Sequence, residues 1–359
     1  MKANPLILLI VAVLIACGGT AAVTTTTPPP TSAADGGTAA TTTTPPASSA
    51  ADGGTVVLYS GRTEELVGPL LSRFEDEMGI DVEVRYGSSP EMAATILTEG
   101  TDSPADLFYS QDPASLGSVA DLMVPLPESI LSLAPEQFSD PDGRWVGITA
   151  RSRVLAFNPE LVDESELPAT YRDLTDPEWS GRFGIAPTNG SFVTFVSAMI
   201  LLEGEEATSE WLEGIAANSP VTFDGNSPIA AAVDAGDLDL GLINHYYLRE
   251  LAAEQGSITA QNHFFTEADA GSLVMPSGIG ILATASNPEG AQSLIEFLLS
   301  SESQAYFAET NFEYPVAPGA PAPEGLPALD TLVSPALSSA ELAAVLDQAT
   351  DLIASAGLA

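Results

Sequence analysis

Cysteine is nearly absent from these 359 residues, and the one thiol excludes an internal disulfide and any cysteine-rich metal site. Histidine is almost as scarce; two residues cannot build the usual zinc sites. Basic side chains number 10 against 49 acidic ones, a formal charge of −39 that makes nucleic acid or an anionic membrane surface a repulsive partner. The same sign suits a cationic ligand, a salty medium or simply a solvated acidic surface. No Gly-x-Ser-x-Gly elbow, Walker loop or His-rich motif occurs, so no enzyme class is indicated. Apolar runs are short as well: Pro5 to Ala16 is too brief to span a bilayer comfortably, and no later segment reaches that length.

What is present starts with that run. Met1-Lys2, the apolar stretch and small residues around Cys17 form an export signal. Leu14-Ile15-Ala16-Cys17 resembles the bacterial lipobox, which implies a signal peptide over 1–16 and a lipidated Cys17 as the first mature residue. Several acyl chains there would hold a soluble domain at the membrane face. A plain secretory signal is the alternative. Residues 17–54 contain a near-duplicate, TTTTPPPTSAADGGT and TTTTPPASSAADGGT, too poor in apolar periodicity to order, and are expected to be a disordered tether.

Folded sequence is expected from Thr55, and a hydrophobic content of 45% is ample for a core. Val56 to Tyr59 predicts a strand, Ser60 to Thr63 a turn ending at a helix N-cap, and Leu66, Leu70, Phe74 and Met78 a helix stopped by Gly79. Val82 and Val84 alternate as a second strand, completing a βαβ unit of a mostly parallel sheet. Further strands are expected at Ala105 to Tyr109, Arg153 to Phe157, Arg182 to Ile185 and Leu238 to Ile243, the last leading into a helix. From Pro288 onward the chain reads as largely helical. Strands alternating with helices without one fixed repeat define an α/β chain of two doubly wound lobes and argue against a barrel.

The sharpest local feature is Asn244-His245-Tyr246-Tyr247, placed where a strand hands over to a helix. There two adjacent phenols can converge on one point, which suits Fe³⁺, a small hard cation that favours anionic oxygen. Such a pair, taken alone, also suits packing. Strand alternation turns His245 away from the same point.

Six segments then carry a resemblance: VVLYSGRTEELVGPLL, SPADLFYSQDPASL, VGITARSRVLAFNPE, DPEWSGRFGIAPTNGSF, DGNSPIAAAVDAGDLDLGLINHYYLRE and FEYPVAP. In this order, across most of the chain after Thr55, the sequence resembles the ferric-ion-binding periplasmic proteins of iron importers, the bacterial transferrin-like family. The resemblance implies a periplasmic-binding-protein build of type II, two lobes joined by hinge strands that close over the metal. The lobes are expected at 55–151 with about 277–325, and at 152–276 with about 326–359. It places the family's tyrosine pair on Tyr246 and Tyr247. Thr63 stands where several members have a histidine ligand, and Gln111 where they have a glutamate. Both are weak neutral donors, so another first-lobe oxygen is needed: Tyr59, Glu64 and Asp112 are the candidates, Tyr59 the favoured one.

The family also holds a synergistic anion, carbonate or phosphate. Its helix-start loop matches Asn189, Gly190 and Ser191, where free N–H groups favour negative charge. Asn226 and Asn244 match asparagines that assist phosphate, and Arg151 an arginine that neutralises carbonate. The resemblance thus implies a lipid-anchored, extracytoplasmic carrier, expected as a monomer, that delivers ferric iron to an ABC importer permease and catalyses nothing. Two alternatives stay open: a binding protein of the same fold for an organic solute such as a phosphonate, thiamine-like amine or polyamine, and a structural surface lipoprotein.

Overall fold

Residues 53–359 are described in the computed structural model of the chain; the leader, Cys17 and nearly all of the spacer lie outside the described residues. Among the described residues ten strands are formed: β1 (Thr55–Ser60), β2 (Asp81–Tyr86), β3 (Leu107–Ser110), β4 (Trp145–Phe157), β5 (Phe183–Ile185), β6 (Val221–Thr222), β7 (Leu240–Asn244), β8 (Gln261–His263), β9 (Val274–Ile281) and β10 (Tyr314–Pro315). They hydrogen-bond in the order β2-β1-β3-β9-β4-β7-β5-β6, with β8 and β10 also paired to β4.

The two ends of this array follow the expected parallel winding. β1 runs parallel to β2 and β3, and β5 parallel to β6 and β7. The middle does not. β9 and β4 are antiparallel to each other and to their outer neighbours, because both carry the chain across the middle of the array in opposite directions. β4 is the hub: residues up to Ser152 pair with β9, and from Arg153 onward the strand pairs with β7. It is longer than the expected Arg153 to Phe157. Thr149, Arg151, Ser152 and Arg153 interrupt its apolar pattern, yet all thirteen of its residues are buried.

Packing follows the same division. Val67, Leu70, Leu71 and Phe74 of the helix Glu64–Met78 meet Val56, Leu58, Leu294 and Leu298 on the β1 side, and Gly79 ends that helix at φ +65°. Met78, expected in the stripe, is exposed, and Leu66 only partly buried. On the β7 side Phe157, Trp179, Phe183, Phe195 and Trp211 share a second core. The chain after Pro288 is less helical than expected: helices Pro288–Leu298 and Ser301–Thr310 are followed by irregular chain, then by Ser339–Ala344 and Leu346–Ser355. The penultimate helix lies against the helix Pro113–Val119 so closely that a Cβ on Gly117 would meet the Ser339 carbonyl at 2.8 Å. Among the described residues no helix is long and apolar enough to cross a membrane.

The few cations are mostly committed. Arg73, Arg85, Arg144, Arg172 and Arg182 each pair with a carboxylate, and Arg62, Arg151 and Arg153 are buried. Most surface carboxylates therefore repel one another without local compensation. Raising sodium chloride from about 0.01 M to about 1 M, which shortens the Debye length from about 30 Å to about 3 Å, is expected to raise the calorimetric Tm. A flat or falling Tm would contradict this.

Candidate functional site

At the end of β7 the chain turns into the helix Tyr247–Gln255 with Tyr246 as its N-cap residue. The two tyrosine rings lie with centroids 4.2 Å apart and planes inclined by 31°. Tyr246 is buried and its hydroxyl accepts from Gln111 Nε2 at 3.5 Å; Tyr247 is half-buried. Burial, and then the neighbouring Tyr247, push the Tyr246 phenol well above its ordinary range, while Arg151 and Arg62 pull it down. The Tyr246 phenol therefore keeps its proton at neutral pH unless a cation replaces it.

A second group of residues faces this pair from β4 and from the helix Gly190–Glu203. Asn189 caps that helix, its Oδ1 accepting from the Ser191 N–H at 3.0 Å and the Ser191 hydroxyl at 2.7 Å. A Cβ on Gly190 would meet nothing within 4 Å, so the helix start is open. Arg153 donates through Nη1 to Ser191 Oγ at 3.2 Å and Asn244 Oδ1 at 3.3 Å, and Asn226 Nδ2 reaches Ser191 Oγ at 3.3 Å. Arg151 is 2% exposed and Arg153 1%. Among the described residues neither pairs with a carboxylate, and the Nε and Nη1 of Arg151 and the Nε and Nη2 of Arg153 have no partner. Burial, with Arg151 adding its charge, pushes the Arg153 guanidinium down to about 10. Orphaned charged donors of this kind each cost on the order of 3 kcal/mol unless an anion meets them.

Between these groups lies a cavity of about 380 Å³ lined by Gln111, Asp112, Arg151, Asn189, Gly190, Ser191, Asn244 and Tyr247. Sequence reasoning named these eight as site residues; it did not name Asp224, which also lines the cavity together with Ser88, Ser89, Pro90 and Thr188. Other candidates are placed differently. Asp112 reaches the cavity but spends both carboxylate oxygens on Ser115, at 2.7 Å to its N–H and 2.9 Å to its hydroxyl, as the cap of the helix Pro113–Val119. Thr63 and Glu64 are exposed at the start of their helix, and Glu64 lies near Tyr86. Tyr59 is not brought to the site: its hydroxyl donates to Glu99 at 3.1 Å and its ring lies under Arg85. The two-residue period of β1 puts Tyr59 with Val57 on the face packed against Met92 and Ile96.

Four residues near the tyrosines escaped the sequence. Arg153 stands two positions from Arg151 on one strand, a spacing that points both to one face and was a usable signal. Arg62 and Glu313 form a bidentate pair at 3.0 and 2.6 Å, both 1% exposed. Burial pushes the Glu250 carboxyl, one helical turn after Tyr246, up to about 7, with Glu313 adding to the effect. Among the described residues no three His, Cys, Asp or Glu side chains gather as a metal cluster.

An α/β chain whose two halves share a crossing strand, with a polar cavity where they meet, has the build of a solute-binding protein. The chain belongs to the bacterial extracellular solute-binding proteins, whose family profile matches residues 102–334. It is 34% identical over 308 residues to the "Fe(3+)-binding periplasmic protein" of Serratia marcescens, covering 84% of this chain and 90% of that one. Against "Iron uptake protein A1" of Synechocystis it is 34% identical, over 84% of this chain and 86% of the relative. The structure of iron-bound HitA from Pseudomonas aeruginosa superposes with a TM-score of 0.80 at 37% identity, over 85% of this chain and 99% of that chain. These relatives and the shared fold agree with the type II build expected from the sequence.

The unpaired guanidiniums generate a prediction for the unliganded protein. About 10 mM phosphate or bicarbonate is expected to raise its Tm by about 3 °C, by binding the folded state alone. Arg153→Met should remove most of that response in the same thermal scan. An equal response in the variant would contradict the assignment.

Proposed function

We propose that the protein captures ferric iron as cargo between the two halves, with the phenolates of Tyr246 and Tyr247 as its principal ligands, and hands it to an ABC importer. The observation that carries this reading is the stacked pair of phenols beside two buried guanidiniums that lack carboxylates. Fe³⁺ replaces both phenol protons, which lowers the net charge of the ion-ligand unit from +3 to +1. An anion on Arg151, Arg153, Ser191 and the open helix start then brings that unit to neutrality or below. Carbonate and phosphate both suit this place, since each bears several oxygens for several donors. Gln111 supplies at most a neutral oxygen, and Thr63 is exposed, so anion or water oxygens complete the shell.

The names of the Serratia and Synechocystis relatives and the iron-bound Pseudomonas structure support iron as the cargo. The partner change of β4 between Ser152 and Arg153 supports a division into one lobe of 55–151 with about 277–325 and another of 152–276 with about 326–359. Cys17, outside the described residues, would tether a monomeric carrier to the outer face of the membrane, with the permease as its partner. One observation favours the organic-solute reading: the β1 side offers no free carboxylate or histidine in the cavity.

Colour separates the two. Titration of the purified protein with ferric citrate is expected to give an orange to red phenolate charge-transfer band. Tyr246→Phe or Tyr247→Phe should each weaken binding by at least about a hundredfold, beyond the loss typical of an outer-shell partner, and the double variant should bleach the band. A colourless wild type stabilised by an organic solute would support the other reading.

A further inference from the structure

The turn bearing the tyrosines is tied down through His245. Its N–H donates to the Ser152 carbonyl at 3.0 Å, and its Nδ1 accepts from the Ser152 N–H at 3.1 Å. Its own carbonyl accepts from Asn262 Nδ2 at 2.7 Å. Because Nδ1 accepts, the ring proton lies on Nε2, which donates to the Phe312 carbonyl at 3.0 Å. The first three bonds stay close to β4, β7 and β8, on the side of the sheet that carries the tyrosines. The fourth reaches the other half of the molecule.

Phe312 is held there by its neighbours on either side. Asn311 donates to the Leu66 carbonyl at 3.3 Å, Glu313 takes both Nη atoms of Arg62 and the Thr149 hydroxyl, and Tyr314 pairs with Ala150. Phe312 itself sits at φ +55°, a left-handed conformation that a bulky residue adopts only where its surroundings impose it. The Tyr314 ring lies over the imidazole at 4.6 Å, inclined by 34°, which fixes the plane in which Nε2–H can point.

We propose that the hydrogen bond from His245 to Phe312 is a latch that couples the joining of the two halves to the placement of the tyrosine pair. The proposal rests on the reading of Tyr246 and Tyr247 as ferric ligands. With the halves together, the imidazole holds the turn and both phenols stay aimed at one ion. When they part, Nε2–H loses its acceptor and Phe312 returns to an ordinary backbone conformation. The turn gains freedom at the moment the cargo is to leave. His245 is thus a positioning residue that never touches the metal.

Two amides separate the latch from a merely structural imidazole. His245→Asn places an oxygen where Nδ1 sits and keeps the Ser152 bond, but falls short of Phe312. His245→Gln reaches as far as Nε2 and gives up the Ser152 bond. Each full-length variant is loaded with ferric citrate, and the decay of its visible band is followed in excess EDTA. His245→Asn is expected to release iron about tenfold faster than wild type, and His245→Gln to stay within about twofold of it. Phe312→Asn keeps the carbonyl and suits the left-handed region, and should slow release about threefold. Wild-type release from His245→Asn, equal acceleration in both His245 variants, or faster release from Phe312→Asn would each overturn the latch alone. A colourless wild type would defeat the ferric reading and the latch with it.

Discussion

Two positive charges are buried on the strand common to both halves of the molecule, and among the described residues no carboxylate pairs with them. Arg151 and Arg153 are all but sealed from water, and four of their nitrogens lack partners. In a chain with 49 acidic residues, the absence of an acid here is a feature of the site and not of the composition. A protein this rich in carboxylate could have neutralised the pair internally, as it does at Arg62 with Glu313. Leaving it open costs stability in the empty protein and creates an affinity for anions that a neutralised pair would lack.

The same economy of charge shapes the metal side. Fixed carboxylates bind many cations regardless of kind, whereas the Tyr246 phenol, which burial holds protonated, responds only to an ion strong enough to displace the proton. Asp112 and Asp224 both stand at the cavity wall, and the oxygens of Asp112 are committed to the cap of a helix. On the proposed reading, charge on the bound unit is settled by the phenolates and the anion together, and cargo and anion reinforce each other across the junction of the two halves. The fold makes that junction a single strand, β4, with β9 alongside it, and the site residues on β4 sit where the partner changes from β9 to β7.

Much of this was legible before the structure, and what was not has identifiable causes. The β1–helix–β2 unit and the strand-to-helix turn at Tyr246 are local features, written in spacing and in a terminating glycine. The helix start at Asn189 to Ser191 is equally local. Tyr59 was misjudged because proximity in sequence to Thr63 says nothing of which face of β1 it occupies. The full length of β4 was hidden because its buried polar residues break the apolar pattern that marks a strand. Arg62 and Glu313 are 251 positions apart, and no local signal joins them. Antiparallel crossing strands likewise depend on how two distant segments meet.

The central claim is that two neighbouring phenolates share one ferric ion, with an anion between that ion and the paired guanidiniums. Anomalous diffraction at the iron edge from crystals of the ferric-loaded protein tests it most directly. The account predicts one strong iron peak within bonding distance of the Tyr246 and Tyr247 hydroxyl oxygens, and an oxyanion bridging it to Arg151 and Arg153. An iron peak away from both phenols, or those phenols packed against an organic ligand with no metal, would contradict it.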